Sequence, residues 1–367
     1  MHTGSINTLT VELGDRSYPI HIGAGAIDGL PDVLRSLGAK GAVAIASDDN
    51  VAPLYAQRVA SLVRDAGADP IVCAMPAGEA NKRIDQIDRF IGEFLKAGMD
   101  RSSIVIALGG GVVGDVVGYA AASFMRGVRF VQVPTTIVAQ VDSSVGGKTG
   151  VNHEMAKNII GAFHQPSAVI VDLEFLKSLP DRELRAGLAE VIKHGVIADA
   201  DLFAYMEQNA GAILAKDLDT IEYPVRRSCE IKSAIVSADE HEHGVRANLN
   251  YGHTFGHGIE AASNYDRFLH GEAIAIGMHA AATLARNLGM VDRAFVDRQR
   301  ACIDAYGLPS AWPSMPINLV LDAMKHDKKV RAGTMKFVVP DRMGHVVHRT
   351  DVTLDQARAA LEAAAES

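Results

Sequence analysis

The sequence predicts an α/β chain of two domains, a doubly wound parallel sheet followed by a mainly α-helical domain. In about the first 175 residues, short runs rich in β-branched residues alternate with amphipathic stretches of helical periodicity. After Leu176 helical periodicity dominates, so we place the boundary near residues 175–180 and the domains at 1–177 and 178–367. A chain of 367 residues is long enough for two domains of ordinary size.

The elements of the first domain follow in order. A turn at Gly14-Asp15 predicts that the first two strands pair as a hairpin. The predicted strands are Thr8–Leu13, Tyr18–Ile22, Ala42–Ala46, Pro70–Met75, Ser103–Leu108, Arg129–Val133 and Ala168–Val171. Helices are predicted at Val51–Ala66 and Arg83–Ala97, and after the glycines that follow Leu108. Because helices separate successive strands, the sheet should be parallel.

The second domain should be helical, with a hairpin near its end. The predicted helical stretches are Arg182–Asn209, Val225–Ala238, Thr254–Ser263, Glu272–Leu288, Arg293–Tyr306 and an alanine-rich helix from Leu354. The hairpin is predicted to join Lys336–Val339 to His345–His348.

Composition excludes several classes of protein. Hydrophobic residues make up 48% and charged residues 22%, which is typical of a globular chain and not of a disordered one. The net charge of −8 disfavours a nucleic-acid binder. Cys73, Cys229 and Cys302 form no CxxC pair, which disfavours a thiolate zinc site or a disulfide framework. The start of the chain is polar, and the apolar run Ala273–Ala285 is too short to span a membrane. We therefore expect a soluble cytoplasmic protein.

A glycine-rich turn follows the predicted strand Ser103–Leu108. Glycines at such a turn let the backbone approach a pyrophosphate, and the N–H groups of the next helix add to the binding. The spacing in Gly109–Asp115 is not GxGxxG, so a simple tight turn stays open as the alternative. Asp48 and Glu79 follow earlier strands, where a carboxylate could hold a ribose or cap a helix.

A second segment of small and polar residues surrounds Lys148. The sequence Gly146-Gly147-Lys148-Thr149 resembles the end of a P-loop, but the glycine that this motif requires is replaced by Asp142. We therefore reject an ATPase and predict a flexible anion-binding loop that carries Lys148 and the pair Lys157-Asn158.

Histidines and carboxylates suggest a metal site. His253 and His257 are spaced i and i+4, which allows both to bind one ion, with Glu190 or His270 as a third ligand. Six of the chain's 14 histidines lie between His241 and His279, which favours this interpretation over core histidines. Glu190 and Lys193 share a helix face, and a surface ion pair is the alternative there.

Cations are scattered along the chain. They are Arg126, Lys148, Lys157, Lys193, Lys232, Arg246 and Lys336. If they converged, they would suit a substrate with two anionic groups, such as a carboxylate and a phosphate. The alternative is that each is a solvated surface side chain.

Six motifs in this order resemble the 3-dehydroquinate synthases of the sugar phosphate cyclase family. They are Gly109–Asp115, Arg126–Thr136, Gln140–Asn152, Lys157–Phe163, Ala189–Lys193 and Leu249–His257. The resemblance extends from Asp48 to Lys336. It implies a Rossmann-like N-terminal NAD-binding domain and a mainly helical C-terminal domain that binds metal and substrate.

The resemblance also implies the cofactor sites. A divalent metal, zinc or cobalt, would be bound by Glu190, His253 and His270, which makes His257 a substrate residue and not a ligand. NAD would be held by Asp48, Asn50, Glu79, Lys82, Gly110, Gly111, Asp115, Thr135, Thr136, Asp142, Lys148, Lys157, Phe175 and Ser178. At Ser178 the family commonly has threonine, and the hydroxyl is retained.

The substrate site is implied in the same way. The substrate would meet Arg126, Lys148, Lys157, Asn158, Lys232, Arg246, Asn250, His257 and Lys336. The residues implied in catalysis are Asp142, Lys148, Lys193, Asn250 and His257. In the family Arg126 reaches the partner subunit's site, so the resemblance implies a homodimer.

The implied reaction belongs to the shikimate pathway. It converts 3-deoxy-D-arabino-heptulosonate 7-phosphate to 3-dehydroquinate and phosphate, with transient oxidation at C5 by NAD, phosphate elimination, reduction, ring opening and aldol closure. Such a small sugar-acid phosphate explains why cations are needed. Nucleic acid and membrane are not expected as partners.

Three other functions are considered. Glycerol and iron-dependent alcohol dehydrogenases share the architecture, but they would need no side chains for a phosphate and a carboxylate. The residues that argue against them are Lys148, Asn158, Arg246 and Lys336. The substrates of cyclases that act on sedoheptulose 7-phosphate or glucose 6-phosphate have no carboxylate. The presence of Arg246 and Asn250, which could bind a carboxylate, favours the shikimate substrate instead. A non-catalytic NAD sensor would tolerate the loss of Glu190, His253 or His270. All three are present, which disfavours this function.

Overall fold

The structure of the protein is a computed structural model, which describes residues 6–310, 315–325 and 335–366. The polar start of the chain, Met1–Ser5, lies outside the described residues. The chain forms two compact units. The first consists of Met1–Leu179 with Ile221–Ser237, and the second of Pro180–Thr220 with Ala238–Ser367.

A mostly parallel sheet forms the centre of the first unit, which confirms the predicted α/β class. Its seven strands lie in the order β1-β2-β9-β6-β5-β3-β4. They are β1 (Asn7–Val11), β2 (Tyr18–Gly23), β3 (Ala42–Asp48), β4 (Asp69–Met75), β5 (Ile104–Gly109), β6 (Arg129–Pro134) and β9 (Ala168–Asp172). Only β1 and β2 pair antiparallel, as their predicted hairpin requires, and the other pairs are parallel.

Helices cover both faces of this sheet. They are α1 (Leu30–Ser36), which the sequence analysis did not predict, α2 (Ala52–Asp65), α3 (Ile84–Lys96) and α4 (Gly111–Ser123). Val43 and Ile45 of β3 belong to the core beneath α1 and α2, whereas Ala44 between them belongs to the core beneath α3 and α4. This alternation is the two-residue period of a strand whose two faces are both buried.

The predicted flexible loop around Lys148 is wrong for much of its length. The segment forms an antiparallel hairpin of β7 (Lys148–His153) and β8 (Ala156–Phe163). Its apolar pattern is weak, because Val151 packs in the core while Ile159 and Phe163 are exposed. A strand with so few buried side chains gives little alternation in the sequence.

The second unit is mainly helical, as predicted. It contains α5 (Asp181–Ala198), α6 (Ala200–Leu214), α8 (His253–Ala262), α9 (His270–Asn287), α10 (Arg293–Ala305), α11 (Ile317–Lys325), α12 (Leu354–Glu366) and the predicted hairpin, β10 (Phe337–Arg342) with β11 (His345–Arg349). The predicted stretch Arg182–Asn209 is two helices, because Asp199 is extended and its Oδ1 accepts hydrogen bonds from the N–H groups of Asp201 and Leu202.

Two more helical features bear on the site. α7 (Leu218–Ala238) begins seven residues earlier than predicted, contains Pro224 and contributes Ile221–Ser237 to the first unit. α9 is buried along most of its length, and a Cβ on Gly271 would lie 1.7 Å from the carbonyl oxygen of Ala186 on α5. This contact fixes where α9 begins.

Among the described residues, no helix is long and apolar enough to cross a membrane.

Candidate functional site

The predicted cofactor residues of the first unit follow the carboxyl ends of five neighbouring strands. Phe175 and Ser178 follow β9, Thr135 and Thr136 follow β6, Gly110 and Gly111 follow β5, Asp48 and Asn50 lie at the end of β3, and Glu79 and Lys82 follow β4. Because the five strands are parallel, these ends lie along one edge of the sheet. In open α/β sheets ligands bind outside this edge, where the strand order reverses.

The glycine turn packs closely against the segment that follows β6. A Cβ on Gly110 would lie 3.1 Å from Cγ2 of Thr136, and one on Gly111 would lie 3.0 Å from Oγ of Ser143. α4 begins at Gly111, so its first N–H groups and the positive end of its dipole lie at this edge. The turn therefore has the backbone groups that bind a pyrophosphate.

Asp48 closes the turn that precedes α2. Its Oδ1 accepts hydrogen bonds from the N–H groups of Asn50, at 3.0 Å, and Val51, at 2.8 Å. Burial raises the pKa of Asp48, and these hydrogen bonds act against that shift. The N-cap residue of α2 is Val51, and it has no side-chain cap hydrogen bond, so Asp48 is not a helix cap and its ribose role stays a prediction.

Lys82 forms a buried ion pair at the same edge. Its Nζ donates to Oδ2 of Asp115 and to Oδ1 of Asn158, each at 2.5 Å. Burial alone would lower the pKa of Lys82, but the charges of Asp115 and Glu79 and the hydrogen bond to Asp115 together outweigh it, and the pKa is raised. Lys82 is therefore a fixed cation that connects α4 to β8.

Asn152 connects further residues of this group. Its Nδ2 donates to Oε1 of Glu79 at 2.8 Å, and its Oδ1 accepts from the N–H of Asn158 at 2.8 Å. Lys157 Nζ lies 3.8 Å from the same Glu79 oxygen. The hairpin thus joins a predicted cofactor residue, Glu79, a predicted substrate residue, Asn158, and Lys157, which is predicted for both, in a single polar network.

Asp142 pairs with Lys232. The Lys232 Nζ donates to the carbonyl oxygen of Asp142 and to its Oδ1, the latter at 2.6 Å. Asp142 lies in a π-helical turn, Ala139–Ser143, and such turns are frequent at functional sites. The buried lysine fixes the position of this carboxylate.

Three predicted substrate cations are exposed. Arg126 has a left-handed backbone, with φ of 67°, in a tight turn between α4 and β6. Lys148 begins β7, and Lys336 directly precedes β10.

The predicted metal ligands of the second unit lie together. Glu190 comes from α5, His253 begins α8 and His270 begins α9. The Nε2 atoms of His253 and His270 lie 3.8 Å and 3.5 Å from Oε1 of Glu190. All three ligand atoms lie within 4.8 Å of one another.

The imidazoles are oriented for a metal. His253 Nδ1 lies 3.0 Å from the carbonyl oxygen of Tyr251, and His270 Nδ1 lies 3.4 Å from Oε1 of Glu260. With Nδ1–H donating to these oxygens, Nε2 is the nitrogen of each ring that lies towards Glu190, and its lone pair can bind an ion once it carries no proton. Glu190 Oε1 is buried without a hydrogen-bond partner, while Oε2 accepts from Lys193 Nζ. One buried oxygen and two imidazole nitrogens form a three-ligand set that fits Zn²⁺ or Co²⁺ and leaves a position for a substrate oxygen.

The charges of this cluster favour ligation. Burial would raise the pKa of Glu190, but Lys193, His270 and His253 together outweigh it and hold that pKa well below its usual range. Burial, aided by Lys193, lowers the pKa of His253 well below its usual value, so the ring is neutral. Burial also acts to lower the pKa of His270, but Glu190 and Glu260 raise it to about 10. A metal ion would displace the proton that these two carboxylates otherwise hold on His270.

The interpretation of His253 and His257 as a metal clasp is wrong. Among the described residues, the donor groups are Glu190 with His253 and His270, and His257 with Glu260 and His270. The two α8 histidines lie edge to face, with ring centroids 5.3 Å apart. His257 therefore lies beside the first group and outside it.

Arg246 and Asn250 both contact the loop before them. Arg246 is buried, and its guanidinium donates to the carbonyl oxygen of Glu240. Asn250 Nδ2 donates to Oε1 of Glu242 at 2.8 Å. Three backbone N–H groups, including that of Arg246, donate to the carboxylate of Asp239 and shape this loop.

The sequence analysis missed Glu260, Asn152 and Tyr251. Glu260 could have been found, because it lies seven residues after His253 and three after His257, on the same face of a helix. Asn152 lay inside a quoted motif, but its role depends on the hairpin. Tyr251 acts through its backbone carbonyl, which side-chain patterns do not reveal.

Two family models match consecutive parts of the chain. The model described as 3-dehydroquinate synthase N-terminal matches residues 72–186, and that described as 3-dehydroquinate synthase C-terminal matches residues 187–330. The 3-dehydroquinate synthase of Acidithiobacillus ferrooxidans is 48% identical over 342 residues, which cover 93% of this chain and 94% of that protein. That of Saccharophagus degradans is 46% identical over 358 residues, covering 97% and 98%.

Solved structures of similar fold are also found. The structure of 2-epi-5-epi-valiolone synthase from Streptomyces hygroscopicus subsp. jinggangensis, with NAD⁺ and Zn²⁺ bound, has a TM-score of 0.88 at 29% identity and covers 97% of this chain and 98% of that one. A 2-deoxy-scyllo-inosose synthase has a TM-score of 0.87 at 23% identity, covering 97% and 99%, and shows the same fold.

Proposed function

The chain belongs to the 3-dehydroquinate synthase family, and from this we propose that it converts 3-deoxy-D-arabino-heptulosonate 7-phosphate to 3-dehydroquinate and phosphate, using NAD and one divalent metal ion. The observation that carries the proposal is the match to two family models over residues 72–330 together with relatives of that name across nearly the whole chain.

NAD would be held along the sheet edge of the first unit. The proposed residues are Asp48, Asn50, Glu79, Lys82, Gly110, Gly111, Asp115, Thr135, Thr136, Asp142, Lys148, Lys157, Phe175 and Ser178. In support, the glycine turn offers backbone N–H groups to a pyrophosphate, and Lys82 is fixed beside it by Asp115. When bound, NAD would supply a transient hydride acceptor, and the metal would supply a Lewis acid for the substrate hydroxyls.

Glu190, His253 and His270 would hold the metal ion. Lys193 Nζ keeps Glu190 ionised by donating to Oε2, which leaves Oε1 available as a ligand. The Tyr251 carbonyl oxygen accepts a hydrogen bond from Nδ1–H of His253, so that Nε2 can bind the ion. These side chains are positioned before the substrate arrives, which lowers the cost of ordering the site.

Substrate anions would be held by cations from several elements. The proposed residues are Arg126, Lys148, Lys157, Asn158, Lys232, Arg246, Asn250, His257 and Lys336, with Asp142, Lys148, Lys193, Asn250 and His257 closest to the chemistry. Arg246 and Asn250 are proposed for the substrate carboxylate, since a guanidinium and an amide N–H donate well to it. Lys232 Nζ holds Asp142 as a fixed acceptor for a hydroxyl proton.

We further propose a cofactor domain at 1–177, a metal and substrate domain at 178–367, and a homodimer. The exposed Arg126 in its left-handed turn supports the proposal that this side chain reaches the partner subunit's site. We also propose a cytoplasmic location, since the three cysteines are free and buried.

The test is phosphate release from the purified protein supplied with 3-deoxy-D-arabino-heptulosonate 7-phosphate, catalytic NAD⁺ and Zn²⁺, while NADH absorbance is followed in the same cuvette. One phosphate per substrate without net NADH would support the proposal. NADH without phosphate would identify a dehydrogenase. No signal from either would contradict the proposed substrate and lead to tests of other sugar phosphates.

A further inference from the structure

Glu260 is a buried carboxylate to which the proposed function assigns no role. It lies in the last turn of α8 and is 5% exposed. Its Oε1 lies 3.4 Å from Nδ1 of His270. Its position on α8 is one helical turn beyond His257 and two beyond His253, so one helix face presents all three side chains.

The two imidazoles of the cluster are supported differently. His253 is buried and its Nδ1 faces a backbone carbonyl, which packing and the fold hold in place. His270 begins its helix and keeps 38% of its side chain exposed, so packing constrains its ring less. A carboxylate on Nδ1 fixes both the tautomer and the ring orientation of such a residue, and it makes Nε2 a better electron donor.

We propose that Glu260 is a positioning residue that orients His270 for metal binding by accepting a hydrogen bond from its Nδ1–H. This inference rests on the proposed metal site and adds a residue to it. The ligand set is then asymmetric, with a backbone carbonyl behind one histidine and a carboxylate behind the other. Through the His270 ring, the negative charge of Glu260 would also add to the attraction for a divalent cation.

The donor group His257, Glu260 and His270 has an alternative use, a second metal ion. In that case Glu260 would itself be a ligand. The two uses differ in the number of ions bound. Orientation of His270 by Glu260 needs one ion for each chain, whereas the alternative needs two.

The test is metal affinity, measured on the full chain. Metal is removed with a chelator, circular dichroism checks that the fold is kept, and Co²⁺ and Zn²⁺ are titrated back against a competing chelator. Glu260→Gln keeps the volume and loses the charge, while Glu260→Ala loses the acceptor as well. The matched control is Glu207→Gln, which removes a carboxylate that pairs with Arg298 on α10 in the same unit.

We expect one ion for each unmodified chain. Glu260→Gln should weaken the affinity about 10-fold and Glu260→Ala up to about 100-fold, and both should change the visible absorption bands of bound Co²⁺. Glu207→Gln should change neither the affinity nor the bands.

Three outcomes would overturn the inference. Equal affinity and unchanged Co²⁺ bands in Glu260→Gln and Glu260→Ala would show that Glu260 does not act on the metal through His270. Two ions for each unmodified chain would make Glu260 a ligand. No metal binding by the unmodified chain would remove the proposed metal site itself, which distinguishes that failure from the first. If Glu260→Ala does not fold, Glu260→Gln alone decides.

Discussion

Removing the charge of Lys193 should strongly destabilise the metal-free protein. Its side chain is 1% exposed and pairs with Glu190, which is 0% exposed. Lys193→Met leaves that carboxylate buried beside a thioether, and breaking one side of a buried ion pair costs about 3–5 kcal/mol of the free energy of unfolding. Burial acts to raise the pKa of Glu190, and Lys193 is the largest of the groups that oppose it, so the pKa of Glu190 should also rise in the variant.

Metal should reduce this cost. A divalent cation bound by Glu190, His253 and His270 supplies positive charge beside the same carboxylate. The loss caused by Lys193→Met should therefore be smaller with saturating Zn²⁺ than after chelation. The proposed metal site makes this coupling necessary, whereas a purely structural ion pair would not produce it.

The assay is urea unfolding followed by circular dichroism, with and without Zn²⁺. The controls are Glu190→Gln and the double variant Glu190→Gln/Lys193→Met, in which both charges are removed. Without metal, the double variant should lie within about 2 kcal/mol of the unmodified protein and above either single variant, because no unpaired charge stays buried. A loss below about 1 kcal/mol for Lys193→Met, or a double variant no more stable than the single ones, would refute this reasoning.

Three further predictions concern other parts of the chain. His279 is 2% exposed and burial lowers its pKa from 6.5 to about 4, so the unfolded chain binds a proton first as the pH falls. The unmodified protein should therefore lose up to about 3 kcal/mol between pH 6.5 and 4 that His279→Gln does not lose, and parallel stability profiles would contradict this. A Cβ on Gly118 would lie 2.5 Å from Cγ2 of Thr149, so Gly118→Ala should lower the free energy of unfolding in urea by about 1–3 kcal/mol. Adding Thr149→Ser removes that methyl group and should recover most of the loss; no recovery would show that the clash is with another group. Arg246→Ala should lower kcat/KM about 10- to 100-fold for the carboxylated substrate and far less for an analogue without the carboxylate, while equal losses would exclude the proposed role.

Much of the fold could be predicted because its signals are local. The parallel strands are buried on both faces and therefore read as continuous apolar runs, as in β5 and β9. Where side chains stay exposed, as in β8, the same reasoning had no pattern to detect. The break between α5 and α6 depends on one capping residue, Asp199, whose effect on a periodic stretch is smaller than that of a proline.

The candidate site divides in the same way. Residue types and short spacings were enough to predict a metal site near the histidines and carboxylates and a pyrophosphate-binding glycine turn. They were enough because a helix or a strand end brings residues that are close in sequence together in space. Spacing did not decide which histidine lies beside Glu190 with His253. His257 is one helical turn from His253, yet His270 is the one in the candidate donor group. Only the packing of α9 against α5 and α8 makes that choice, since a contact between separate helices depends on their crossing and not on their separation in sequence. The sequence by itself therefore determined the kinds of group available, and the tertiary structure decided which of them lie close enough together to form a candidate metal site.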